Sequence, residues 1–176
     1  MSTRTVLHDA DISRALTRIA HEILESNRGA ENIVLLGIPT RGVTLARRLG
    51  TLISDIAGVP VAVGALDVTL FRDDLAQHPT RSPRPTDIPD GGIDGKVVVL
   101  VDDVLFSGRS IRAALDAIQS IGRPCAVRLA ILVDRGHREL PIRPDFVGKN
   151  IPSARTERVN VRLVEDDGSE EVTIGA

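Results

Sequence analysis

The chain has no tryptophan, no tyrosine, one cysteine and only three phenylalanines in its 176 residues. Each shortage excludes something. A single cysteine, Cys125, cannot close an internal disulfide or build a cysteine-based zinc site. So few aromatic rings leave little for stacking on nucleic-acid bases. Lysine is nearly absent as well: of the 22 basic residues, 20 are Arg and 2 are Lys. Acidic residues number 24, so the net charge is −2. That excludes a generally polycationic nucleic-acid binder but leaves room for a local basic face. No run approaches the roughly 18 consecutive apolar residues of a membrane span. Met1-Ser2-Thr3-Arg4 leads into polar residues with no apolar signal core, so the expected location is cytoplasmic, with no membrane partner. What is present, 42% apolar and 26% charged residues, is the profile of a globular protein. The length suits one domain, 1–176.

Ile12, Ala15, Leu16, Ile19, Ala20, Ile23 and Leu24 follow helical spacing, which predicts an amphipathic helix from Asp11 to Asn27, capped by Asp9 or Asp11. Ile33 to Leu36 reads as a buried strand, and Leu45, Leu49, Leu52, Ile53 and Ile56 as a second helix. Val61 to Phe71 reads as a strand. The stretch from Phe71 to Gly95, with four prolines, is expected to be a long loop with a functional or mobile role. Val97 to Val101 is the strongest buried-strand signal. Ile111 to Ile118 is expected to be helical, Ala126 to Val133 a strand, and Arg135 to Asn150 a polar loop. Val159, Val161 and Leu163 alternate as a late strand that pairs with Val172 to Ile174. Strands alternating with helices predict an α/β fold with a mostly parallel central sheet flanked by helices. Ligands on such sheets sit beyond the strands' carboxyl ends.

One of those ends is Val98 to Ser110. A buried strand runs into Asp102-Asp103, then a turn of Val104, Leu105, Phe106, Ser107 and Gly108, and a helix opens with Arg109 and Ser110. A helix start exposes unpaired N–H groups and positive dipole, Gly108 lets the backbone come close, and two hydroxyls can donate. This is a phosphate cradle. It is not a Walker loop. Two carboxylates beside phosphate would repel it unless hydroxyls or a hard cation lie between, so a sugar phosphate carrying Mg²⁺ suits both halves. Taken singly, the same residues also describe a strand end with a capping Asp and a serine-rich helix start.

The full string resembles the phosphoribosyl pyrophosphate (PRPP) signature of type I phosphoribosyltransferases. Leu16 to Glu22, Gly37 to Gly42, Leu70 to Asp74, Val133 to Pro141 and Phe146 to Pro152 are more narrowly similar to the pyrimidine operon attenuation regulators, which double as uracil phosphoribosyltransferases. The similarity runs from about Leu7 to Leu163. It implies the type I fold with a small hood, about 134–158, and a flexible lid, about 71–95. The implied reaction is uracil plus PRPP giving UMP plus pyrophosphate.

The resemblance also implies roles. Asp102 and Asp103 would hold the ribose hydroxyls and a Mg²⁺ carried by PRPP, and Val104 to Ser110 would wrap the 5′-phosphate. Thr40, Arg41 and Gly42 would form the pyrophosphate loop, in which a non-proline cis peptide is common. Arg41 and Arg72 would add charge. With no Tyr or Trp available, the base must be read at its edge, and Asp134, Arg135, Gly136 and His137 are the candidates. Arg14, Thr17, Arg18 and His21 form a stripe on the first helix, which with Lys149 would contact a leader mRNA of pyrimidine genes under control of UMP or UTP. Glu22, Glu25 and the neutral Ser26 dilute that stripe. A homodimer or larger homo-oligomer would enlarge the basic area. The competing reading is a type I phosphoribosyltransferase for another base, without RNA binding.

Overall fold

The computed structural model describes residues 2–77 and 82–176. In chain order the elements are β1 (Arg4–His8), α1 (Asp9–Asn27), β2 (Ile33–Gly37), α2 (Arg41–Ala57), β3 (Ala62–Ala65), β4 (Val97–Leu105), α3 (Arg109–Gln119), β5 (Ala126–Asp134), β6 (Phe146–Asn150), β7 (Arg158–Arg162), α4 (Val164–Asp167) and β8 (Glu171–Gly175). Five strands form the main sheet in the order β3-β2-β4-β5-β6, all parallel. The strands are apolar on both faces because helices cover both. Leu35, Val99 and Val101 pack with α1 and α2, while Val34, Leu36, Val98 and Leu100 pack with α3. A three-stranded antiparallel sheet, β1-β8-β7, closes over the α1/α2 layer through Leu7, Val161, Leu163, Val172 and Ile174.

The strand β2 has β3 on one side and β4 on the other. The helices that follow β2 and β4 lie on opposite faces. Their first turns therefore splay apart at the carboxyl ends of these two strands, which leaves a crevice there.

Four sequence expectations change. The first helix starts at Asp9, and its N-cap is His8. Asp11 reaches back to accept the His8 N–H at 2.9 Å, while the Asp9 carboxylate takes the Ala10 N–H. The strand expected over Val61 to Phe71 ends at Ala65. Asp67 Oδ1 there accepts from the Thr69 amide and hydroxyl, at 3.3 and 2.7 Å, and turns the chain into a one-turn 3-10 helix, Thr69–Phe71. Leu70, which looked like part of an alternating strand, is 65% exposed. The loop expected over Arg135 to Asn150 contains β6, and β1 was not anticipated.

The long connection from Phe71 to Gly95 is irregular but not detached. Ala65 and Asp87 exchange backbone hydrogen bonds of 2.9 and 2.8 Å, so its second half returns to the sheet edge. Residues 78–81 of the expected lid lie outside the described residues.

Candidate active site

The strand β4 does not stop at Val101. It runs through both aspartates to Leu105 and keeps its register with β5, Asp102 opposite Ile131 and Val104 opposite Val133. Strand alternation therefore sends the carboxylates different ways. Asp102 lines a cavity of about 570 Å³ together with Arg72, Gln77 and the turn Val104 to Ser110. Asp103 lines a second cavity of about 470 Å³ with Arg41, Asn160, Arg162 and Asp167. A smaller pocket between them, about 220 Å³, touches both aspartates, Pro39, Arg72 and Ser110. Asp102 is only 9% exposed. Burial, and next the neighbouring Asp103 charge, push its carboxyl well above the usual range.

The turn after β4 is held open by backbone geometry. Gly108 sits at φ 94° and caps α3. Ser107 Oγ accepts the Arg109 N–H at 3.3 Å, and Ser107 O takes the N–H groups of Glu139 and Leu140. The start of α3, from Gly108 to Ile111, lines the cavity together with Ser107.

The loop after β2 has a cis Pro39-Thr40 peptide. Its Gly42 is explained by contact: a Cβ there would stand 2.5 Å from Val101 O and 3.4 Å from Asp102 Oδ1. Only glycine lets α2 begin against the end of β4. Arg41 and Gly42 both lie close to the aspartates, although Arg41 faces the Asp103 side.

Three arginines around the crevice, Arg41, Arg72 and Arg109, are each paired with carboxylates of the chain itself. Arg72 forks onto Asp74 at 2.9 and 3.0 Å and donates to Ser110 Oγ at 3.2 Å. Arg109 spans Glu139, at 2.9 Å, and Asp73. Arg41 forks onto Asp167 at 3.0 and 2.6 Å. Asp167 also accepts the Leu163 N–H, and the Arg41 hydrogen bond is the main reason its carboxyl lies below the usual range. Glu139 and Asp167 were not anticipated. The acidic run Glu165-Asp166-Asp167 was the only sign of the latter.

Asp134, Arg135, Gly136 and His137 do not line the main cavity. They stand behind it. Burial raises the Asp134 carboxyl, but the Arg138 side chain and the Gly136 N–H outweigh that and hold it below the usual range. Arg135 stacks on Phe106, which does line the cavity.

On the opposite side of α1, all five residues expected at the RNA face meet. Arg14, Thr17, Arg18, His21 and Lys149 line one groove of about 590 Å³ between α1 and β6. Arg18 is fixed there by donating to Val147 O at 3.0 Å and Gly148 O at 2.6 Å. Arg14 pairs with Asp11.

Comparison with known proteins places this arrangement. The model of the phosphoribosyl transferase domain matches residues 2–166. Hypoxanthine phosphoribosyltransferase of Trypanosoma cruzi shares the fold with a TM-score of 0.73 at 16% identity, over 97% of this chain and 95% of that one. The HGPRT-ase of Leishmania tarentolae does so with a TM-score of 0.71 at 18% identity, over 100% and 98%. The nearer relatives are more particular. The chain is 68% identical to a protein of Leifsonia xyli named bifunctional protein PyrR, over 99% of this chain and 97% of that one. It is 62% identical to the bifunctional protein PyrR of Streptomyces coelicolor, over 98% and 90%. The chain belongs to the phosphoribosyl transferase family and, within it, to the bifunctional PyrR branch.

Proposed function

We propose that this chain converts uracil and PRPP into UMP and pyrophosphate, and that it binds the leader RNA of pyrimidine genes in response to uridine nucleotides. The observation that carries the first half is the phosphate turn. The turn, with Ser107, Gly108 and Ser110, lines the same crevice as Asp102 and Asp103, at the carboxyl ends of adjacent parallel strands.

The chemistry asks little covalent work of the protein. The bond from the anomeric carbon to pyrophosphate loosens as the base attacks, and positive charge develops on the ribose. Catalysis is positioning and charge stabilisation. Asp102 and Asp103 accept from the ribose hydroxyls, and the backbone of residues 104–110 with the Ser107 and Ser110 hydroxyls holds the 5′-phosphate. Thr40, Arg41 and Gly42 take the pyrophosphate, with Arg72 alongside. Asp134 to His137 belong to a hood over the base, about 134–158. The stretch 71–95 acts as a lid rooted at Arg72-Asp73-Asp74 that excludes water.

Among the described residues no cluster of three metal-ligating side chains exists. Two adjacent carboxylates, one of them buried and costly when charged, are instead what suits a Mg²⁺ that arrives on substrate phosphates and retains most of its other ligands. Asp102 and Asp103 would hold it, and it would supply charge neutralisation of the departing pyrophosphate. No helix of the described chain is long and apolar enough to cross a membrane. The cytoplasm and a homodimer or larger assembly complete the reading.

The deciding experiment follows radiolabelled uracil. PRPP-dependent formation of UMP is expected with Mg²⁺ present, and folded protein without turnover overturns the enzyme reading. Hypoxanthine and guanine run in parallel; faster turnover of either would favour a purine enzyme instead. The regulatory half rests on the groove that gathers Arg14, Thr17, Arg18, His21 and Lys149. Phosphate contacts there would supply affinity, and the shape of an RNA loop specificity. A gel shift with the leader RNA of its own pyrimidine genes, with and without UMP, should show tighter binding with UMP. Equal binding to unrelated hairpins overturns specific recognition.

A further inference from the structure

Arg135 is an odd residue to bury. It is 7% exposed, and among the described residues no carboxylate forms a direct ion pair with it; Glu157 acts on it only through space. Its buried Nε has no hydrogen-bond partner, while Nη2 donates to Ala154 O at 2.9 Å. A largely buried cation with no direct ion pair is costly, and an apolar side chain would fill the same space at lower cost. What the guanidinium does contact is a ring. Its Cζ lies 4.2 Å from the centroid of Phe106. His137 meets the same ring edge-on, with centroids 6.0 Å apart at 69°. The His137 backbone is left-handed, at φ 66°, and its Nε2–H donates to Ser153 O at 2.6 Å. Ser153 Oγ donates in turn to Arg135 O at 3.0 Å. The Phe106 ring is therefore braced by two residues that are themselves tied down. Phe106 also lines the cavity that Asp102 and the phosphate turn share.

Of the three phenylalanines, Phe146 is in the core and Phe71 is on the surface. Phe106 is the one aromatic ring lining this cavity among the described residues. We infer that Phe106 is the platform against which the pyrimidine ring of the ligand packs, and that Arg135 and His137 are positioning residues that fix the platform. A flat, weakly polar ring gains from such a surface without using its hydrogen-bonding edge, and a cation held under the far face stiffens the phenyl ring against rotation. The inference rests on the proposed function and adds the residue that recognises the base.

Two ligands separate the roles. UMP carries the base, whereas ribose 5-phosphate has the same sugar and phosphate without it. Calorimetric titrations of both compare wild type, Phe106→Leu, Arg135→Met and the double variant. UMP affinity should fall about five- to tenfold in each single variant, with ribose 5-phosphate affinity unchanged. The double variant should be no weaker than Phe106→Leu alone, because Arg135 acts through the ring. Arg135→Lys, which keeps a cation but loses the flat stack, should fall between wild type and Arg135→Met. Equal losses for ribose 5-phosphate, or additive losses in the double variant, overturn the inference while leaving the enzyme reading standing. Wild-type protein that binds neither ligand overturns that reading itself.

Discussion

Asp102 carries the clearest conflict between stability and function at the scale of one residue. Its carboxylate is buried beside another carboxylate, and both effects raise its titration range. For an acid whose folded pKa is raised, ionisation costs folding energy at every pH above that range. The cost disappears as pH falls through it, because the folded state then takes up the proton first. Asp102→Asn should therefore stabilise the ligand-free protein at neutral pH, by about 1–2 kcal/mol, read as a higher melting temperature. The advantage should shrink on acidification, once wild-type Asp102 is protonated. The same substitution should weaken PRPP binding. Unchanged PRPP titrations of Asp102→Asn and Asp103→Asn would remove these residues from the site. A sugar-phosphate cradle was one of two readings the residues themselves allowed, and the roles of the two acids came from the resemblance of the whole string to the PRPP signature. The burial and the divergent directions of the two acids were legible in neither. Both follow from β4 continuing four residues beyond Val101, and strand length in a buried parallel sheet depends on the neighbour's register rather than on local sequence.

At the scale of elements, α4 deserves the next experiment because it clasps the start of α2. Thr44 Oγ1 donates to Asp166 at 2.7 Å, Arg48 forks onto Glu165 and Glu170, and Arg41 forks onto Asp167. Arg41 can meet an incoming pyrophosphate only by exchanging one anion for another. Asp167→Asn should thus tighten pyrophosphate inhibition, by about three- to tenfold, while Arg41→Gln should weaken it by about an order of magnitude or more. Product-inhibition kinetics read both. Looser pyrophosphate binding in Asp167→Asn would show that the carboxylate orients Arg41 instead of competing for it. Arg48→Met should lower stability by about 1–2 kcal/mol, since it strands two carboxylates that lie close together. Elements of this kind explain where sequence pattern fell short. The strand β6 is five residues between prolines, and its Gly148 is required because a Cβ would collide with Leu132 O. Short strands with glycine at a tight sheet contact carry almost no periodic signal. Conversely, the apolar residues after Ala65 looked like strand, but the Asp67 side chain competes for the backbone and bends it.

At the scale of the whole molecule, the two proposed sites share one structural neighbour. Lys149, in the groove with α1, stands opposite Val133 in the β5–β6 pairing, and the next pair is Asp134 with Asn150. Asp134 O then accepts the Ile151 N–H at 2.9 Å, and Asp134 leads directly to the Arg135 and His137 that brace Phe106. A ligand that orders this corner therefore acts on both sites through the end of one strand. Because coupling is a free energy between two equilibria, it must be reciprocal. If UMP tightens leader-RNA binding by some factor, the same RNA must tighten UMP binding by that factor, and filter binding with calorimetry on the same preparation can compare the two. Lys149→Ala should reduce RNA affinity and lower the salt dependence of binding by about one counterion. Uracil turnover without RNA should stay at the wild-type rate, since Lys149 is absent from every cavity around Asp102 and Asp103. Unequal coupling factors would mean that UMP and RNA recognise different assemblies of the chain, and a Lys149→Ala protein that keeps full RNA affinity would move the RNA surface away from the α1/β6 groove.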